Sequence, residues 1–142
     1  FKLTPDGPKV IEVNARLGGD LIPYIGMQAS GIDPGLAAAA VACGRAPAVT
    51  ADRGLVGAVR FFYPDQDDTR IDSIHFDDAG LPKQVDLLLT LAKPGTVVSP
   101  PPKGTVFGRI ALAAAVGDTV QECRDALDAA QSALIVNTMP DS

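Results

Sequence analysis

Between Val10 and Arg16 apolar and polar residues alternate, with Ile11 and Val13 falling between Glu12, Asn14 and Arg16. Successive strand side chains point to opposite faces. The spacing therefore predicts a strand with Ile11 and Val13 in the core and the three polar side chains together on the other face. Phe1-Lys2-Leu3 and the turn residues Thr4-Pro5-Asp6-Gly7 predict the first arm of a hairpin leading into it. Gly18-Gly19 permits a tight backbone turn, after which Asp20 is placed to cap a helix over 21–30, with Pro23 in the first turn and Gly31 at the end. Asp33-Pro34 supplies a cap and a first-position proline for a second helix. Its alanine-rich body, 36–43, ends at Gly44 and predicts close helix packing rather than chemistry.

From residue 55 the pattern becomes β-rich. The apolar run 55–63 is closed by Pro64, and Ile71, Ile74 and Phe76 are interspersed with polar residues over 70–76. Polar turns at Gln66-Asp67-Asp68-Thr69 and Asp77-Asp78-Ala79-Gly80 bound them. Further strands are predicted over 85–91, 96–99 and 107–116, with Pro100-Pro101-Pro102 as a surface loop, because proline cannot pair inside a sheet. Thr119-Val120-Gln121-Glu122 has the form of a capping box. The helix it opens runs to 133, with Val120, Cys123, Leu127 and Ala130 on one face, and 134–137 predicts a last short strand.

Composition narrows the function classes. A chain of 142 residues suits one modest domain. No run is long and apolar enough to predict a membrane span, and no basic start precedes an apolar segment as in a signal peptide; the expectation is a cytoplasmic protein. The 12 basic residues are scattered in a chain of net charge −5, which is not a nucleic-acid footprint. Cys43 and Cys123 lie singly in apolar helical patterns and are expected to be reduced core residues. No Ser–His–Asp or Cys–His set can be assembled, which argues against a hydrolase.

The chemistry concentrates in Glu12, Asn14 and Arg16. A carboxylate and a carboxamide oxygen two residues apart offer hard ligands to Mg²⁺, which takes one or two carboxylates and completes its shell with water and phosphate. The arginine one step along has the planar fork that binds phosphoryl or carboxylate groups with two hydrogen bonds. A solvated polar strand face would show the same alternation. The complete word Ile-Glu-Val-Asn-Ala-Arg-Leu-Gly-Gly-Asp, residues 11–20, resembles the signature near the end of the ATP-grasp catalytic domain. The version in carboxylate–amine ligases, among them those acting on L-amino acids, is the most similar.

The resemblance implies that Glu12 and Asn14 bind Mg²⁺ (or Mn²⁺), that Glu12 thereby contacts the ATP phosphates, and that Arg16 acts catalytically on the transferred phosphate. It implies that Gly18, Gly19 and Asp20 shape the pocket for the acid or acyl-phosphate, beside a helix start whose free N–H groups suit an anion. The α+β fold class it implies is the C-terminal portion of an ATP-grasp domain, a β-hairpin plus helices over 1–54. A small antiparallel β subdomain with a packing helix follows over 55–142. Because the chain opens at Phe1 on a predicted strand, it reads as a fragment whose ATP-gripping half lies upstream and whose isolated form is inactive. The open edge of its hairpin would invite a homodimer. Another ATP-grasp reaction, of purine-pathway or carboxylase type, and a non-catalytic binding or assembly module are the alternatives.

Other polar residues carry less. His75 has no acid or nucleophile beside it and is expected to face solvent. Asp67-Asp68 and Asp77-Asp78 lack the ligand spacing of a calcium loop. Lys93 and Lys103 are expected to be solvated. Arg109, after Gly108 at a predicted strand start, is a weaker candidate to reach the active site.

Overall fold

The computed structural model describes residues 1–140. Its centre is β7 (Ala111–Gly117), flanked by antiparallel β3 (Val56–Phe62) and β5 (Val85–Thr90) in the order β3-β7-β5. The run Ala111-Leu112-Ala113-Ala114-Ala115 is buried throughout. A strand covered on both faces reads as continuously apolar rather than alternating. On one face Ala111, Ala113 and Ala115 meet Cys123, Ala126, Leu127 and Ala130 of α3 (Val120–Ala133). Small alanines let the helix approach the sheet closely. On the other face lies α1 (Ile22–Ser30), whose Ile25 sits so close to Gly57 of β3 that a Cβ there would collide with it.

A second antiparallel sheet has the order β6-β4-β8, formed by β6 (Val97–Val98), β4 (Thr69–Phe76) and β8 (Leu134–Thr138). Phe62 and Phe76 join the sheets, their ring centroids 6.2 Å apart and tilted by 60°, a favoured aromatic arrangement. Ile71 and Ile110 are fully enclosed in the same core. The α+β class, the antiparallel β region and its packing helix are thus as expected. His75 is exposed, also as expected.

Several expectations need correction. The first hairpin is only β1 (Lys2–Thr4) and β2 (Gly7–Lys9), whose strands, among the described residues, pair with nothing but each other. Residues 10–17 are not a strand, and Ile11 and Val13 are 67% and 89% exposed. Alternation specifies a buried face only where a second layer receives it, and two short strands alone provide none. Helix α2 (Pro34–Ala42) is capped as predicted, the Asp33 carboxylate accepting from the N–H groups of Gly35 and Leu36, but it buries no residue. Cys43 at its end is exposed, whereas Cys123 is buried; both thiols are free.

Around the predicted 107–116 strand the chain first makes a single tight turn, Val106–Gly108, before β7 begins. The α3 cap is half of a capping box. Thr119 Oγ1 accepts from the Glu122 N–H, while the Glu122 carboxylate takes the Asp118 N–H rather than that of Thr119. Val120, at the helix start, is exposed rather than buried. Lys103 is exposed, as expected, and in addition pairs with Asp68 across 2.5 Å.

Candidate functional site

Glu12, Asn14, Arg16, Gly18, Gly19 and Asp20 all lie on one exposed connection between β2 and α1. Asn14 Nδ2 donates to Glu12 Oε1 at 3.1 Å, so these two side chains share one side of the connection without strand geometry. Their chemistry fits a hard divalent cation, with one carboxylate and one carboxamide within mutual reach. An ion shared by both would take the place of the present hydrogen bond, with the amide turned to offer its oxygen. Among the described residues no group of three or more His, Cys, Asp or Glu side chains gathers to form a complete metal cage. A Mg²⁺ held by such a pair would draw its other ligands from water and substrate. Arg16 is exposed and donates from Nη1 to the Leu17 carbonyl at 3.1 Å, leaving most of its fork unused.

Asp20 departs from its expected role. It does not cap α1: Leu21 occupies the cap position, with φ 61°, and no side chain caps the helix. Asp20 itself has φ 55°. Two consecutive non-glycine residues in the left-handed region are uncommon and cost roughly 1–3 kcal/mol each. Gly18-Gly19 before them supplies the freedom to enter the turn, and the Gly19 carbonyl accepts from the Ile22 N–H at 3.0 Å.

The Asp20 carboxylate is held by Arg109. Nη1 lies 2.5 Å from Oδ1 and Nη2 3.4 Å from Oδ2. Arg109 is itself gripped from other sides, with Nε donating to the Tyr63 hydroxyl at 3.2 Å and the guanidinium 3.7 Å above the Phe61 ring centroid. Its side chain is only 17% exposed against 53% for that of Asp20. Hydrogen bonding to Arg109 holds the Asp20 carboxyl below its ordinary value, and Asp20 in turn raises Arg109. Whatever stability the pair adds is thus present above the ordinary carboxylate range and lost as pH falls through the depressed Asp20 value. The melting temperature of Asp20→Asn should accordingly lie below wild type near neutral pH and converge on it as pH falls below the ordinary carboxylate range. A constant gap across that range would show that the pair does not titrate as drawn.

Sequence spacing pointed to Arg109 only weakly and missed Phe61 and Tyr63. Their i, i+2 placement on an apolar run ending at Pro64 was a signal that they share a strand face. Which strand pairs beside them, putting Ala111 opposite Phe62 and so Arg109 near both aromatics, is a matter of register. A broad cleft of about 840 Å³, lined by Phe61 and Tyr63 among others, opens between the outer edges of β3 and β8. It holds none of Glu12, Asn14, Arg16 or Asp20.

No family model matches the chain, and no curated protein matches it in sequence. Solved structures do match in shape. Phosphoribosylglycinamide synthetase from Anaerococcus prevotii superimposes with a TM-score of 0.80 at 16% identity, covering 96% of this chain. L-amino acid ligase from Bacillus licheniformis does so with a TM-score of 0.70 at 18% identity, covering 98%. In both cases the chain spans 35% of the length of the matched protein. Coverage this wide takes in both the sheets and the helices of the chain. Among the described residues, no helix is long and apolar enough to cross a membrane. Over nearly all its length, this chain has the fold found in one part of a phosphoribosylglycinamide synthetase and of an L-amino acid ligase.

Proposed function

We propose that the chain is part of an ATP-dependent carboxylate–amine ligase, in which ATP phosphorylates a carboxylic acid, an amino acid in the leading version, and an amine captures the acyl-phosphate. One observation carries this reading: the word 11–20, with its Glu12–Asn14 pair and unspent Arg16 fork, lies exposed on a chain with a ligase fold. In this reading Glu12 and Asn14 hold Mg²⁺ or Mn²⁺, whose contribution is to neutralise phosphate charge. Arg16 binds the transferring phosphoryl group, and its five N–H donors favour the more highly charged transition state. The turn at Gly18, Gly19 and Asp20 borders the acid. Such chemistry depends on positioning and electrostatics rather than on a protein nucleophile. The nucleotide itself is held by residues of the ligase outside this chain, which is the role proposed for the upstream half. A homodimer through the exposed hairpin is a separate proposal, open to light scattering.

The test is ADP and phosphate release by the full-length protein with ATP, Mg²⁺ and a panel of amino acids and amines, with ligation products read by mass. Release that requires both an acid and an amine is the expected result. Saturable binding without turnover would point instead to a binding module. The likeness to phosphoribosylglycinamide synthetase keeps one alternative in the test, a purine-pathway type of ligase. The panel therefore includes glycine with a phosphoribosyl amine.

A further inference from the structure

The connection 10–21 is exposed from Val10 to Asp20, its apolar residues included, and is strained at its end. Among the described residues its side-chain bonds are local, Asn14 to Glu12 and Arg16 to Leu17, except at one place. That place is Asp20, gripped by Arg109 from 89 positions along the chain. The two left-handed residues, Asp20 and Leu21, are the part of this segment that would relax first without an external hold.

Arg109 is built to hold rather than to move. Tyr63 and Phe61 fix two sides of its guanidinium, and the next residue, Ile110, is buried with its N–H bonded to the Phe62 carbonyl at 2.9 Å. The preceding Gly108 packs directly against the Ser99 carbonyl. The arginine thus projects from a fixed base just before β7 toward a turn that, among the described residues, no side chain of the connection itself holds. A planar fork that meets a carboxylate through both terminal nitrogens restrains orientation as well as distance.

We propose that Arg109 is a positioning residue. It locks Asp20, and through it the Gly18–Gly19 turn, in the course that orients Arg16 toward the reacting phosphoryl group. This rests on the ligase reading for its catalytic consequence, though not for the lock itself. Arg109 touches no reacting atom in this scheme; it acts through Asp20.

Two readouts on the full-length protein test the lock and its consequence separately. The first is native trypsin cleavage after Arg16, compared within each sample with cleavage after Arg45, an exposed site in the loop after α2. Loosening of the whole fold raises both rates, whereas loss of the lock raises only the first. In Arg109→Met and in Asp20→Asn, the Arg16 to Arg45 ratio should rise about tenfold, as local opening becomes easier. The double variant should rise no further, since the two groups act as a unit. Asp20→Asn alters an exposed side chain and keeps the test available should Arg109→Met not fold. An unchanged ratio in folded variants overturns the lock.

The second readout is steady-state phosphate release, with Glu12→Gln as the reference. The expected result is a kcat reduced about tenfold in Asp20→Asn and Arg109→Met at an unchanged KM for ATP, with partial recovery in Arg109→Lys, which retains charge but not the fork. A raised cleavage ratio with wild-type kcat, where Glu12→Gln abolishes turnover, overturns the positioning role alone. Where Glu12→Gln leaves turnover intact, the ligase site is misassigned, and the cleavage ratio still decides the lock.

Discussion

Replacing Glu12 by glutamine in the full-length protein is expected to reduce Mg²⁺-dependent turnover by about a hundredfold, while stability changes by less than about 0.5 kcal/mol. The two halves of that expectation have different origins. Glu12 is exposed, and its one side-chain hydrogen bond is received from Asn14, a neighbour two residues away. Glutamine retains the shape and an oxygen that can accept the same bond, so the fold has almost nothing to lose. What glutamine removes is the charge, and a neutral carboxamide beside a second carboxamide is a poor site for a strongly hydrated dication. Raising Mg²⁺ should recover part of the lost rate if metal occupancy is the cause. Arg16→Ala should lose a comparable factor, roughly 3 kcal/mol of transition-state stabilisation. Arg16→Lys should fall between it and wild type, because lysine keeps the charge and loses the fork. Both Arg16 effects should appear in kcat rather than in KM for ATP, since only interactions stronger in the transition state speed the step. Intact turnover in Glu12→Gln would place the metal on other residues.

The residues that were legible before the structure were those whose signals are local. Asp33 and Thr119 announce helix starts through bonds that span two or three residues, and both side chains make them. Gly31 and Gly44 end helices because they alone adopt φ of 78° and 69° without strain. The strands β3, β4 and β8 were visible from β-branched and aromatic runs bounded by turn residues. The segment 10–17 was misread for the opposite reason. Alternation is a statement about two environments, and this stretch has solvent on both sides in the structure.

The same limit applies to the candidate site. Glu12, Asn14 and Arg16 stand within five residues of each other and are recognisable as a word. The hold on Asp20 is assembled from Phe61, Tyr63 and Arg109, which meet only through the β3–β7 register. Asp20 itself shows how local and distant demands compete. An aspartate before a helix normally caps it, but an arginine fork in a partly buried setting offers its carboxylate two charged donors. The backbone accepts two left-handed residues to satisfy that fork.

Gly108→Ala is expected to destabilise the fold by about 2–4 kcal/mol. A methyl group at this position would overlap the carbonyl oxygen of Ser99. That obstacle is backbone, so it cannot swing aside as a side-chain end would. Nor is Ser99 free to retreat. It is buried, its hydroxyl accepts from the Asp68 N–H at 2.9 Å, and Asp68 is paired in turn with Lys103. The strain therefore passes along the chain into Arg109 and Ile110, where the bond from the Ile110 N–H to Phe62 anchors the start of β7. Gly26→Ala is the control. Gly26 lies in α1 with open space around the added carbon, and alanine there should stabilise by about 0.5–1 kcal/mol through helix propensity. Labelling of the buried Cys123 thiol in increasing urea reports opening of the core shared by α3 and β7, with the exposed Cys43 serving as the always-reactive reference. Gly108→Ala should move the Cys123 transition to lower urea and Gly26→Ala to higher. A Gly108→Ala midpoint within error of wild type would mean that the crossing at Ser99 yields, and with it the rigid base attributed to Arg109.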